Sequence, residues 1–180
     1  MTTTPELVVL ATEDGTPTGT APKLTVHHAN TPFHLAFSCY VRNESSELLL
    51  TRRALTKLTW PGVWTNSMCG HPGPGESNEQ AIHRRAVQEL GTRVAGITEI
   101  LPEFSYRAVD SSGVVEWEFC PVYQATIDGP LDPQPEEVDS YAWVRPADLF
   151  AAVDATPFAF SPWMVEQLSH SALREALDRT

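Results

Sequence analysis

A helix with both of its ends written into the sequence sits in the middle of this chain, and everything around it is cut into pieces of strand length. Ser77 and Gln80 stand at the spacing of a capping box, S-x-x-Q, and Gly91 falls where a helix C-terminus favours a left-handed residue. Between them Ala81, Ile82, Ala86, Val87 and Leu90 recur at helical spacing. Elsewhere the apolar runs are short and divided by turn residues. Residues 7–11 lead into Asp14-Gly15, and residues 34–41 and 48–52 flank Asn43-Glu44-Ser45-Ser46. Residues 64–69 make a further run. Residues 104–109 and 114–126 flank Asp110-Ser111-Ser112-Gly113, and 141–144 give one more strand. Two helices are expected to close the chain, the last opened by Ser161-Pro162 as cap and first-turn proline. This pattern predicts an α/β (α+β) fold, a mixed β-sheet sandwich flanked by helices.

The chain has 180 residues, a length that suits one domain over 1–180. Segment 128–139, rich in Pro, Asp and Glu, reads as an exposed loop and not a boundary, because the remainder is too short to fold alone. A net charge of −11 argues against nucleic acid or an anionic membrane as partner, since both need a basic face. It leaves room for a small anionic substrate held by a local cluster of Lys and Arg, or by a metal. Residues 1–10 lack a basic region followed by an apolar run, so no signal peptide is expected. No stretch reaches the roughly 18 apolar residues of a membrane span. Cys39, Cys69 and Cys120 are an odd, scattered set, which predicts free thiols and a reducing cytoplasm.

Around the helix the charged positions carry a pattern. Gly70-x5-Glu76-x7-Arg84 has the spacing of the Nudix signature, and the chain continues Arg85, Ala86, Val87, Gln88, Glu89, Leu90, Gly91. It resembles a Nudix box from which two helix carboxylates are missing, where the acids otherwise gather divalent cations against a pyrophosphate. Arg85 and Glu89 lie four apart on one helix face. By themselves they fit a surface ion pair as well as a diphosphate–metal site.

Just upstream stands Trp60-Pro61-Gly62-Val63-Trp64-Thr65-Asn66-Ser67-Met68-Cys69-Gly70-His71-Pro72. Together with Thr51-Arg52-Arg53-Ala54, the pair Glu116-x-Glu118, and Phe160-Ser161-Pro162-Trp163-Met164, this run resembles the type 1 isopentenyl-diphosphate isomerases. Those enzymes share a Nudix-like fold and carry T-N-S-x-C-G-H-P, and the resemblance extends from about Leu7 to the last helix. It implies Cys69 and Glu118 as the acid/base groups, with Tyr106 assisting protonation. It implies His27, His34, His71, Glu116 and Glu118 around one divalent metal, Zn²⁺ or Mn²⁺ by the softness of three imidazoles. Glu89 would hold a Mg²⁺ bridged to the substrate diphosphate. Lys23, Arg53, Lys57 and Arg85 would contact the diphosphate oxygens, and Trp163 the hydrocarbon. The implied partner is an isoprenyl diphosphate, the expected state is a monomer, and no flavin fingerprint is visible.

The chemistry asks for such residues. Protonating an unactivated alkene makes a tertiary carbocation that water would trap, so the site must be dry, with a proton donor and an acceptor across the allyl unit. A thiol suits one side because its ordinary pKa of about 8.5 lets it exist in either form. An indole face lowers the energy of a desolvated cation by about 2 kcal/mol. On a strand Glu116, Glu118 and Cys120 share one face. Two other readings compete: a Nudix-type diphosphate hydrolase working through Glu76 and Glu89, and a non-catalytic Nudix-like binding module. Neither needs the thiol, the histidines or the paired glutamates. Cys39 and Cys120 read as small core residues, His83 and His170 as surface ones.

Overall fold

The computed structural model describes residues 6–179, so residues 1–5, on which part of the signal-peptide reading rests, lie outside it. Two sheets form the centre. The first has the order β2 (Pro17–Pro22), β1 (Leu7–Ala11), β3 (His34–Leu35), β10 (Val115–Phe119), β9 (Ser105–Val109). The second runs β12 (Val138–Val144), β5 (Leu48–Arg53), β4 (Phe37–Arg42), β11 (Val122–Ile127), β8 (Val94–Leu101). The short strands β6 (Trp64–Thr65) and β7 (Met68–Gly70) add to β5 and β4. The helices are α1 (Lys23–Val26), α2 (Asn78–Leu90), α3 (Pro146–Ala155), α4 (Pro162–Gln167) and α5 (Ser171–Asp178). The mixed α+β sandwich expected from the sequence is present. No helix among the described residues is long and apolar enough to cross a membrane.

Two runs that read as single strands each cross from one sheet to the other. Residues 34–41 break at Ala36 into β3 and β4, and residues 114–126 break at Cys120-Pro121 into β10 and β11. The breaks lie side by side. Ala36 N–H donates to Phe119 O at 2.8 Å, and Ser38 N–H to Pro121 O at 3.1 Å. Pro121 has no N–H to continue a ladder, so the corner falls there. Run 64–69 also splits, because Asn66 and Ser67 spend their side chains on neighbouring backbone: Asn66 Nδ2 on Met68 O, Ser67 Oγ on Leu49 O. Strands β2 and β8 were not visible in the sequence. Both are mostly exposed edges without alternation, and Gly96 at φ 61° interrupts β8.

Helix α2 forms as its caps dictate. The reciprocal Ser77–Gln80 bonds are both present, and Gly91 sits at φ 60°. A Cβ at Gly91 would overlap the Asp132 carbonyl oxygen, so the acidic loop packs against the helix end. That loop donates Asp132 N–H to Leu90 O and Gln134 N–H to Glu89 O. Three helices close the chain where two were expected. Ser161-Pro162 opens α4 and not the last helix, and Ser161 makes no side-chain cap bond. Its Oγ instead bonds Thr65 Oγ1 at 2.8 Å, tying α4 to β6. The core divides in two: Phe37, Met68, Ile82 and Leu90 lie between sheet and α2, while Tyr40, Leu48, Met164 and Leu173 lie under the C-terminal helices.

Candidate active site

Strand register places the first group of side chains. Glu118 on β10 stands opposite His34 of parallel β3 and opposite Tyr106 of antiparallel β9. Three neighbouring strands thus line up imidazole, carboxylate and phenol in one cross-strand row. His27 enters from the end of α1, and His71 from just beyond β7. All three imidazoles converge on one oxygen: Glu118 Oε1 lies 3.0 Å from His71 Nε2, 3.3 Å from His34 Nε2 and 3.5 Å from His27 Nε2. Ligand atoms of His27, His34, His71 and Glu118 all lie within 4.8 Å of one another.

This donor set fits a divalent cation. His34 Nδ1 is 2.8 Å from the Pro32 carbonyl, which can only accept, so Nδ1 carries the ring hydrogen. Its Nε2 lone pair then faces a carboxylate oxygen, a contact that needs a cation or a second proton between. Nε2 of His27 and of His34 and Nδ1 of His71 are buried without a hydrogen-bond partner. Burial drives the His71 pKa down to about 4 and keeps that ring neutral, as a metal ligand must be. Burial pulls Glu118 upward, but the bonds from the three histidines outweigh it and hold its pKa well below the usual carboxylate range. His28 is turned away and accepts Asn30 N–H at 3.1 Å.

Glu116 stands outside that cluster. Its Oε1 accepts from Thr59 Oγ1 at 2.6 Å, and its Oε2 from the Tyr106 hydroxyl at 2.7 Å. Tyr106 also reaches Glu118 Oε2 at 2.9 Å, so one phenol bridges both glutamates. Burial, then the Glu118 charge, push the Glu116 pKa upward. The pair is therefore driven apart, with any shared proton resting on the Glu116 side.

A cavity of about 310 Å³ opens in front of these groups. It is lined by His27, His71, Tyr106, Glu116, Glu118, Cys69, Trp163, Lys23, Arg53, Lys57 and Arg85, so nearly every residue singled out in the sequence meets there. His34 and Glu89 stand behind the wall, the first in the histidine cluster, the second against Arg85. Cys69 comes from β7, with Ser38 Oγ 3.2 Å and Asn66 Oδ1 3.4 Å from its sulfur. Burial raises its pKa to about 12, against the pull of those two bonds. Trp163 on α4 is 2 % exposed and donates Nε1–H to Asn66 Oδ1 at 3.0 Å. Its ring lies 5.9 Å from Tyr106 and carries the Arg53 guanidinium at 5.4 Å.

The cations line the other side. Arg85 is 6 % exposed and bonds Glu89 at 2.6 Å and Glu137 at 3.3 Å, while its Nε is buried without a partner. Gly70 makes room for it, since a Cβ there would sit 2.8 Å from Arg85 Cγ. Lys57 pairs with Glu137, and Lys23 with Glu6 at 2.6 Å. Four further lining residues carry no mark in the sequence reading, the apolar Leu24 and Leu58 and the polar Thr59 and Glu137. Glu137 belongs to segment 128–139, whose Pro, Asp and Glu content predicts exposed loop, and Thr59 carries no sequence signal. Just ahead of α2 Glu76 is bound by Arg84, on α2 itself Glu89 is bound by Arg85, and among the described residues no group of metal-ligand geometry lies on that helix.

A family model described as NUDIX domain matches residues 32–164. The chain is 59 % identical to an isopentenyl-diphosphate Delta-isomerase of Corynebacterium glutamicum, over 98 % of this chain and 96 % of the relative. It is 60 % identical to one of Kocuria rhizophila, over 97 % of each. Solved structures share the fold at low identity. A Deinococcus radiodurans protein matches with TM-score 0.70 at 20 % identity, over 91 % of this chain and 98 % of that one. The MutT protein of Methanosarcina mazei matches with TM-score 0.59 at 18 % identity, over 82 % and 94 %.

Proposed function

Because the chain belongs to the isopentenyl-diphosphate Delta-isomerases of the Nudix fold, we propose that it interconverts isopentenyl and dimethylallyl diphosphate by placing a proton on one side of the allyl unit and removing one from the other. The observation that carries this reading is the single cavity holding a thiol, a glutamate pair bridged by a phenol, and a cluster of cations. One proton enters at the terminal alkene carbon, a tertiary cation forms, and one proton leaves the neighbouring methylene. Neither phosphate nor redox equivalents change hands, so no flavin is required.

Cys69 and Glu118 are the acid/base pair, and Tyr106 carries protons to and from the glutamates it bridges. The indole of Trp163, flanked by Tyr106, faces the passing cation and helps exclude water. Lys23, Arg53, Lys57 and Arg85 bind the diphosphate, whose charge replaces the carboxylates now holding Lys57 and Arg85. That binding energy lies remote from the reacting carbons and fixes their position. His27, His34, His71 and Glu118 would hold Zn²⁺ or Mn²⁺, with Glu116 as the fifth donor the resemblance implies, and Glu89 a Mg²⁺ beside the diphosphate. Such cations would fix Glu118 in place, lower its proton affinity and neutralise phosphate oxygens. The same reading carries one domain over 1–180, a monomer at work in the cytoplasm, and no nucleic-acid or membrane partner, in keeping with a net charge of −11.

The deciding experiment incubates the protein with isopentenyl diphosphate and Mg²⁺ in D₂O under proton and phosphorus NMR. Dimethylallyl diphosphate with deuterium in the new methyl, and no free phosphate, is the expected result. Phosphate release without a shifted double bond would make the chain a hydrolase, and no change would leave a binding module. Glu89→Gln is expected to raise KM for the diphosphate about tenfold at limiting Mg²⁺, with kcat changed by less than about threefold. An unchanged KM would move the Mg²⁺ role to another residue.

A further inference from the structure

Behind Cys69 lies a second set of polar side chains that the proton shift itself does not use. Ser38 on β4 is the register partner of Cys69 on β7, and its Oγ also lies 2.8 Å from Gln167 Nε2 on α4. Gln167 Oε1 in turn accepts the Tyr40 hydroxyl at 2.9 Å. Ser38, Tyr40 and Gln167 are all 0 % exposed. We propose that Ser38 and Gln167, oriented by Tyr40, are positioning residues for Cys69: a buried chain of hydrogen bonds fixes the direction of the Ser38 hydroxyl and presents a standing donor to the Cys69 sulfur. The proposal rests on Cys69 as an acid/base group.

Direction follows from what each group can do. The Tyr40 hydroxyl has Gln167 Oε1 as its one hydrogen-bond partner among the described residues, and the reversed amide would strand a buried phenol proton. The amide nitrogen is thereby aimed at Ser38. Having accepted from Gln167, Ser38 Oγ turns its own hydrogen to a sulfur, and Cys69 at 3.2 Å is nearer than Cys120 at 3.5 Å. On the far side, Asn66 Nδ2 donates to Cys39 O at 3.2 Å and Met68 O at 2.9 Å. Asn66 Oδ1 can therefore only accept, and it takes Trp163 Nε1–H, Thr65 Oγ1–H and the Cys69 thiol. The sulfur thus has one fixed donor and one fixed acceptor. When it holds a proton, S–H points to Asn66. When that proton has moved to substrate carbon, the Ser38 hydroxyl remains on the thiolate. Both forms are satisfied without rearrangement of the surroundings, which is what a group that gives and takes a proton in each turnover requires.

The test uses Ser38→Ala, Gln167→Met and Tyr40→Phe, the last removing one oxygen from a ring that keeps its shape. Two quantities are read: kcat and KM for isopentenyl diphosphate, and the infrared S–H stretch of Cys69, isolated by subtracting the Cys69→Ala spectrum. The proposal expects kcat to fall about tenfold in Ser38→Ala, somewhat less in Gln167→Met and about threefold in Tyr40→Phe, with KM unchanged. The double variant Ser38→Ala/Gln167→Met should be no slower than Ser38→Ala, because both act through one chain. The S–H band should move in Gln167→Met and Tyr40→Phe, neither of which touches the sulfur. An unmoved band overturns the proposal, and so does an unchanged kcat in the three variants, a parallel rise in KM, or additive losses. Failure of the underlying reading is separate: it would appear as a wild-type protein that does not isomerise, while the band shift still reports on the chain.

Discussion

Cys69→Ala is expected to lower turnover by about 10³-fold or more, the scale of a positioned acid/base group, with the fold intact. The surroundings explain why the loss should be confined to chemistry. Asn66 Oδ1 keeps Trp163 and Thr65 as donors when the thiol is gone, and Ser38 keeps Gln167 and has Cys120 within 3.5 Å. No buried polar atom is orphaned, so the stability cost should stay near the ordinary ~1 kcal/mol of a single-atom truncation. Diphosphate binding should persist, since Lys23, Arg53, Lys57 and Arg85 are untouched. Steady-state kinetics, thermal melting and titration with a non-reactive diphosphate check the three claims. Turnover within tenfold of wild type would hand the role to Glu116, Glu118 and Tyr106 alone.

How far sequence reasoning reached follows how local each signal was. Helix α2 was legible from end to end because its capping box and Gly91 act within one turn. The crossing strands were not, since a break at Ala36 or at Cys120-Pro121 makes sense only when the two chains run side by side. Edge strands β2 and β8 have one paired neighbour each and mostly exposed side chains, so they lack the alternation that marks a half-buried strand. At the site, Cys69, Gly70 and His71 are contiguous and could be read together. The row His34–Glu118–Tyr106 exists only through register across β3, β10 and β9. Glu137 was hidden for another reason. Its neighbours Pro133, Pro135 and Glu136 look like solvent-facing loop, and only the docking of that loop on the end of α2 carries Glu137 to Lys57 and Arg85.

Glu118→Gln should abolish turnover to a similar degree and, unlike Cys69→Ala, should also weaken the response to a divalent cation. Glu118 serves two sides at once. Oε1 faces the nitrogens of His27, His34 and His71, and Oε2 accepts the Tyr106 hydroxyl. An amide of the same shape cannot do both. With its NH₂ toward the histidines it puts hydrogens where a cation would sit. With its NH₂ toward Tyr106 it opposes the phenol proton and leaves that hydroxyl to Glu116 alone. In either orientation the negative charge is lost, and with it much of the attraction for a dication. In wild-type protein stripped by chelator, Zn²⁺ or Mn²⁺ at a hundred times its Kd should add about 2.7 kcal/mol of stability. At about 2–4 °C per kcal/mol for a chain of this size, that is a rise in Tm of about 5–10 °C. Glu118→Gln should keep less than about half of that rise, measured by melting with and without metal, alongside kcat. A variant that loses the metal response but keeps its turnover would make Glu118 a structural ligand and leave protonation to Glu116 through Tyr106. A variant that loses turnover but keeps the full metal response would show that the three histidines hold the cation without it, and that Glu118 acts on the substrate as a proton carrier in its own right.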